Sequence, residues 1–447
     1  MGRRDSDMTE GNIWMHMIRF SVPMAIGLLF QQLYNTVDTL VVGQFVGKQA
    51  QAAVGSTGPI INTVVGFCAG LATGASVVIS QRYGAHDREG LSKAVHTTVA
   101  LTFLLSVIAT AIGQVIILPM LRFMQTPEDV LSDSSLYLTI YFAGISGILF
   151  YNLGSGILRA VGDSRRPLLF LILSALLNTG LDLLFVVGFG MKVDGVALAT
   201  VLSQIISAVM IMVALSRERG DYGIRWRKIR VDRESLREIL RIGLPSSIQS
   251  AITAFSNVFA QSYINQFGSA CMAGYGVYGK IDAFVLIPVQ SISMSSTTFV
   301  GQNWGAKQPE RAREGVRTAI WMSILSTAVL GLAVFILARP LMTLFSPEED
   351  VIEYGIRFIH IVTPFYIAIC FNQIYAGALR GVGDATAPTV IMLISFVAFR
   401  QVYLAVTKAM GAGFLAVALA YPVGWILCST LLVIRYSRSV LVRGEKG

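Results

Sequence analysis

The sequence predicts an all-α integral membrane protein, with twelve transmembrane helices in two six-helix lobes related by pseudo-twofold symmetry along the membrane normal. Three observations lead there. Of the 447 residues 54% are hydrophobic and only 14% are charged, whereas soluble domains carry roughly 25% charged residues. The apolar runs are long and unalternating, as in 99–118 and 319–338. Finally, the second half of the chain repeats marked positions of the first in order.

Backbone groups in hydrocarbon must pair internally, which leaves helices or a closed barrel. Barrel strands alternate over about ten residues, while a helix needs about 20 apolar residues to cross, and the runs here are of the second kind. The expected spans are 15–45, 53–81, 94–120, 134–157, 167–190, 194–216, 238–267, 272–301, 315–338, 354–379, 387–409 and 413–436. Gly and Pro punctuate their ends, as at Gly84, Pro127, Gly162, Pro167, Gly305 and Pro340. The first ten residues are polar and no cleavage site follows the first apolar run, so that run reads as helix one and not as a removable signal.

An even number of spans puts both termini on one side. The N-terminal tail, the even-numbered connections and the C-terminal tail hold 27 of the 35 Lys and Arg, against 6 in the odd-numbered connections. Positive charge favours the cytoplasm, so both termini are expected there, in a multi-pass plasma (inner) membrane protein. This bias accounts for the net charge of +9 without a nucleic-acid partner. The one long polar connection, 218–237, divides an N-lobe of 1–217 from a C-lobe of 238–447 and reads as a solvated, lipid-facing linker. Cys68, Cys271, Cys370 and Cys428 each sit alone in an apolar run, without metal-ligand spacing, and are expected to pack rather than pair.

The repeat has an offset of 221 or 222. Gln81-x-x-Gly84-Ala85 recurs as Gln302-x-x-Gly305-Ala306, and Leu158-Arg159-x-x-Gly162-Asp163-x-x-x-Pro167 recurs as Leu379-Arg380-x-x-Gly383-Asp384-x-x-x-Pro388. Pro23 corresponds to Pro245 and Pro119 to Pro340. Six spans per half means both halves enter the membrane in the same direction, a plan typical of transporters. The Arg and Asp of each turn motif, Arg159 with Asp163 and Arg380 with Asp384, are expected to tie helix ends together or to gate the cytoplasmic side.

An ionisable side chain at the bilayer centre is costly, by roughly 3 kcal/mol or more, and marks function. The candidates are Asp38, Asp182, Lys280, Asp282, Arg400 and His360. Gln31, Asn35 and Asp38 share one face of helix one, and Asn178 and Asp182 share one face of helix five. With the hydroxyls of Thr200 and Ser203 in helix six, these oxygens could bind a hard cation or hold a proton on a buried carboxylate; a helix-gluing hydrogen-bond network is the plain alternative. Tyr275, Tyr278 and Asp282 form an aromatic, acidic face suited to an organic cation. Asp282 is expected to pair with Arg400, either as a structural bridge or as a pair that opens for substrate. His360 reads as a satisfied or water-facing histidine.

The paired Leu-Arg-x-x-Gly-Asp-x-x-x-Pro and Gln-x-x-Gly-Ala motifs, with Pro23, Gln32, Asn35 and Asp38, resemble the multidrug and toxic compound extrusion (MATE) family over residues 12–437. That family belongs to the multidrug, oligosaccharidyl-lipid and polysaccharide flippase superfamily. The resemblance implies a proton or cation coupling site at Asp38, Asn178, Asp182 and Thr200, with Asn35 beside it. If sodium is the coupling ion, its ligands would be Asp38, Asn178 and Asp182. Gln31, Tyr34, Asn257, Gln261, Tyr278, Asp282 and Arg400 are the expected substrate-cavity residues. The C-lobe departs from the sodium-binding pattern: Ala260 stands opposite Asp38 and Tyr403 opposite Asp182, and helices seven and ten offer Asn257, Gln261, Asn372 and Gln373 but no acid. This points to the DinF-like branch.

The implied function is secondary active efflux of an amphipathic, cationic organic compound against H⁺ or Na⁺, by a monomer that meets membrane lipids and small organic substrates and needs no cofactor beyond the coupling ion. A flippase for a lipid-linked precursor is the alternative; it would line its cavity with several Arg or Lys. An enzyme would need a nucleophile with a base, or a metal set, and the sequence shows neither.

Overall fold

The computed structural model describes residues 7–124 and 126–443, excluding the side chains of 35, 37–41, 48, 49, 51, 255 and 258. In the first half, α1 is Ile13–Val41, α2 Lys48–Gly84, α3 Arg88–Phe123, α4 Glu128–Ala143, α5 Ile145–Ala160, α6 Arg165–Leu183 and α7 Val193–Arg217. In the second, α8 is Arg233–Asn265, α9 Ser269–Gly305, α10 Pro309–Ile336, α11 Ala338–Phe345, α12 Glu349–Val362, α13 Tyr366–Gly381, α14 Thr386–Leu393, α15 Arg400–Ala409, α16 Phe414–Ala418 and α17 Ala420–Ser437. Among the described residues, ten helical segments are long and apolar enough to cross a membrane, and α4 with α5 makes an eleventh, bent by 49°. The remaining expected span, the seventh, falls in α8, whose first turns carry Arg233, Glu234, Arg237, Glu238 and Arg241. Its 33 residues extend about 50 Å at 1.5 Å per residue, so a polar end can project beyond a hydrocarbon core of about 30 Å.

The repeat is written in the backbone. Among the described residues, every residue with φ in the left-handed region except Gly11 has a counterpart 221 positions away: Gly47 and Gly268, His86 and Lys307, Gly162 and Gly383, Gly190 and Gly411. A left-handed residue is costly unless it is glycine. His86 (φ 54°) and Lys307 (φ 57°) therefore mark a turn that both halves enforce after the Gly-Ala of their shared motif. The fourth span breaks at one place in both halves: at Gly144 between α4 and α5, and at 363–365 between α12 and α13, where Pro364 removes an amide donor.

Contacts divide the chain differently from the repeat. One compact unit contains Ile26–Ser247, and the other contains Met8–Ala25 with Ile248–Gly447. The chain passes between them just after Pro23 in α1 and Pro245 in α8. In the first unit, α8 lies against α2 through small residues. A Cβ on Gly74 would stand 2.5 Å from the carbonyl oxygen of Ile239 and the amide of Gly243, an approach that only small residues allow. Gly74→Ala should therefore lower stability by about 1–3 kcal/mol, read as a lower thermal midpoint in detergent. In the second unit, Met17, Phe20 and Met24 of α1 pack with Ile292, Phe299 and Val316.

The polar ends are held by ion pairs and caps. Arg82 Nη2 donates to both Glu238 oxygens at 3.1 Å, and Arg82 Nη1 to Asp87 at 3.2 Å. Asp232 caps α8, accepting from the Ser235 amide at 2.9 Å and the Ser235 hydroxyl at 2.8 Å. These bonds hold the Asp232 carboxyl below the usual carboxylate range. Its contribution is therefore complete at neutral pH and disappears as pH falls through that lowered value. Asp232→Ala should cost about 1 kcal/mol at pH 7, and the thermal midpoints of variant and parent should converge at acid pH.

The turn motifs use other arginines than expected. Asp163 Oδ1 accepts from the amides of Arg165 and Arg166, each at 3.1 Å, and its other oxygen takes the Arg166 guanidinium. Arg166 also reaches Glu218 and Tyr222, both at 3.3 Å, and burial pushes the Tyr222 phenol up to about 12. In the second half Asp384 pairs with Arg435 at 2.5 Å. Arg159 and Arg380 are not the partners. A helix-capping carboxylate lies beside the side chain three residues on, and the second-half counterpart of Arg166 is Ala387, so Asp384 turns to the last long helix.

Candidate functional site

Two buried polar clusters form, one in each unit. In the first, Asn178 and Asp182 lie one turn apart on α6, and Thr200 lies in the second turn of α7. Asn178 and Asp182 are each 1% exposed and Thr200 is 7% exposed. With its amide oriented to satisfy both ends, Asn178 donates to Asp182 Oδ2 at 2.9 Å and accepts from the Thr200 amide at 3.1 Å. Ser203 turns its hydroxyl back to the Thr200 carbonyl at 2.9 Å, and its own carbonyl accepts from Ser174 at 3.1 Å. A π-helical stretch, Leu184–Gly188, follows Asp182 at once; such stretches recur at functional sites. A carboxylate taken out of water gains from a proton or a cation, because buried charge is costly. The other residues assigned to this set, Asn35 and Asp38, have side chains outside the described residues. Gln31 is exposed and Tyr34 half-buried on the same helix.

In the second unit, Asp282 of α9 is held by two phenols. Tyr366 donates to Asp282 Oδ1 at 2.5 Å and Tyr278 donates to the same oxygen at 3.2 Å. The break at Pro364 makes this possible by placing Tyr366 at the first residue of α13. The second carboxylate oxygen has no hydrogen-bond partner among the described residues. Tyr275 shares a hydrogen bond of 2.7 Å with Tyr421, and its ring lies 5.9 Å from that of Tyr278 and 5.2 Å from that of Phe358. The carboxylate is thus surrounded by aromatic rings.

The expected ion pair of Asp282 with Arg400 does not form. Arg400 donates instead to Ser256 at 2.9 Å and Asn257 at 2.8 Å, and its guanidinium lies 5.3 Å from the Tyr421 ring. Phenols reach Asp282 first, and the arginine is spent on joining α8 to α15. Gln261 bonds to Asn265 at 3.0 Å rather than to either charge. Lys280 is exposed, its ammonium 5.8 Å over the Phe345 ring. His360 is bonded to the Phe335 carbonyl at 3.1 Å. All four cysteines are buried free thiols.

The repeat relates the clusters and shows how they differ. At an offset of 221, Asn178, Asp182 and Thr200 correspond to Phe399, Tyr403 and Tyr421. Oxygen donors in the first half are aromatic rings in the second. Sequence reasoning missed Tyr366 and Tyr421. Tyr421 could have been found from the repeat, since it follows the Val-Ala-Leu-Ala match to residues 196–199.

A family model described as MatE matches residues 23–184 and again 245–406, two ranges offset by 222 as the repeat is. The chain belongs to the MATE family. It is similar to the probable multidrug resistance protein YoeA of Bacillus subtilis (strain 168), with 31% identity over 87% of this chain and 85% of that protein. It is also similar to the probable multidrug resistance protein YpnP of the same organism, with 28% identity over 97% of each. A solved structure of a MOP superfamily transporter from Pyrococcus furiosus superposes with a TM-score of 0.91 at 25% identity, covering 97% of this chain and 98% of that one. This MATE protein is therefore an integral membrane protein of a transporter family.

Proposed function

We propose that this MATE protein is a secondary active multidrug efflux transporter. It exchanges H⁺ or Na⁺ for an amphipathic organic cation by alternating access, as a monomer in the plasma membrane with both termini cytoplasmic. The observation that carries the reading is the asymmetry of the clusters: a buried carboxylate among oxygen donors in one half, and a carboxylate ringed by phenols in the other. Asp182, with Asn178, Thr200, Asn35 and Asp38, is assigned to the coupling ion. Asp282, with Tyr278 and its neighbouring rings, is assigned to the cation. Gln31, Tyr34, Asn257 and Gln261 are placed along the substrate route, and Arg400 braces it. The names of the two Bacillus relatives support multidrug export. The chemistry asked of each carboxylate is modest: Asp182 gains and loses one positive charge, and that change biases helices on which both sites depend.

The test is efflux of a fluorescent organic cation from proteoliposomes under an imposed ΔpH or ΔNa⁺. The parent protein should accelerate efflux under one of the two gradients, and Asp38→Asn should return it to the rate of protein-free vesicles. Gradient-driven efflux that survives Asp38→Asn contradicts the assignment.

A further inference from the structure

The connection 218–232 is not a loose linker in the first unit. His96 of α3, 3% exposed, accepts from the Arg225 amide at 3.0 Å through Nε2, while its Nδ1 lies 2.6 Å from the Ser92 carbonyl. Thr97 accepts from the Asp232 amide at 3.0 Å, and Arg88 reaches Asp221 at 3.6 Å. Three anchors thus pin the connection across the start of α3, and a cavity of about 650 Å³ remains between them.

The cavity is strongly basic. Seven Lys or Arg and three carboxylates line it. Arg88 is taken by Asp221, and Lys93 by Glu89 at 2.7 Å. Arg219, Arg225, Arg227, Lys228 and Arg230 have no ion-pair partner among the described residues. A cleft lined mainly by one sign of charge raises the local concentration of counter-ions, here anions. Trp226, in the short helical turn of the same wall, is 55% exposed, and tryptophan favours the membrane–water boundary.

We propose that this cavity binds a phosphate-bearing anion. Guanidinium groups match phosphate oxygens bidentately, and the four arginines without an ion-pair partner among the described residues suit a phosphate more than a lone carboxylate. The ligand is either the headgroup of an anionic phospholipid, for which a basic cluster next to a transmembrane helix is suited, or a soluble polyphosphate. The site shares no residue with either buried cluster and does not depend on the coupling assignment.

The experiment is amine acetylation of the intact protein in nanodiscs, read by mass spectrometry at Lys93 and Lys228, with Lys307 and Lys408 as references. One arm compares zwitterionic lipid with lipid containing phosphatidylglycerol; the other adds inorganic triphosphate to zwitterionic nanodiscs. Labelling of Lys93 and Lys228 should fall about tenfold near ligand saturation, with the references unchanged. Protection by phosphatidylglycerol supports the site with lipid as the source, and protection by triphosphate supports it with a soluble source. The variant Arg225→Gln/Arg227→Gln/Lys228→Gln/Arg230→Gln should weaken triphosphate binding roughly 1000-fold, at about 1 kcal/mol per charge removed, followed at Lys93. A variant with Lys307, Arg317, Arg438 and Arg443 changed to Gln should bind as the parent does. No protection in either arm, equal protection of the reference lysines, or equal weakening by both variants overturns the proposal. The labelling arms use the parent protein, so they decide the matter even if the variants fold poorly.

Discussion

Asp182→Asn is expected to abolish gradient-driven efflux while leaving binding of the organic cation, measured without coupling ion, within about threefold of the parent. The substitution keeps shape and hydrogen-bonding capacity beside Asn178 but removes the group that can take up a proton or balance a sodium ion. Coupling between two sites typically corresponds to 1–3 kcal/mol, or roughly 5- to 150-fold, and the variant should lose all of it. The fold should survive, because the Asn178 bond to Asp182 at 2.9 Å can be replaced by an amide–amide bond. Efflux assays in proteoliposomes, with binding followed on the same preparation, separate the two effects. If efflux and binding fall together, Asp182 is a substrate residue or a structural one.

Asp282→Asn should do the reverse. Its second carboxylate oxygen has no hydrogen-bond partner among the described residues, and hydrogen bonds to a charged group are worth roughly 1.5–3 kcal/mol. Affinity for an organic cation should fall about 10- to 100-fold. A neutral compound of similar size should bind as before, since apolar contacts do not depend on the charge. Tyr366→Phe removes the shorter of two bonds to Oδ1 and should weaken cation binding much less. Fluorescence titration of purified protein gives all three values. Equal loss for charged and neutral compounds would mean that Asp282 only holds helices together.

Much of this fold is legible in the sequence because the bilayer constrains it locally. Span length, charge scarcity and the Gly-Asp turns are properties of neighbouring residues, and they survive as paired left-handed turns at Gly162 and Gly383. The site is less legible because its contacts are distant in sequence. Asp282 and Tyr366 are separated by 84 positions, and only the break at Pro364 brings them together. Arg400 looked like the natural partner of Asp282 because both are lone charges in apolar helices. Charge alone does not rank candidates when hydroxyls lie nearer. The turn aspartates show the same limit: the motif is common to both halves, but the partner depends on whether Arg166 or Ala387 stands three residues on. The units formed by contacts, with Met8–Ala25 joined to the second half, were hidden because helix one reads as one continuous span around Pro23.

Ion and substrate must oppose one another if a MATE protein exchanges them, and this opposition is a thermodynamic quantity independent of transport rates. The most direct test is the dissociation constant of a fluorescent organic cation, measured with and without saturating coupling ion, for the parent protein and for Asp182→Asn. The ion should weaken substrate binding roughly 5- to 150-fold in the parent and leave binding to the variant unchanged. An affinity indifferent to both H⁺ and Na⁺ in the parent, or an ion dependence that persists in Asp182→Asn, would contradict it.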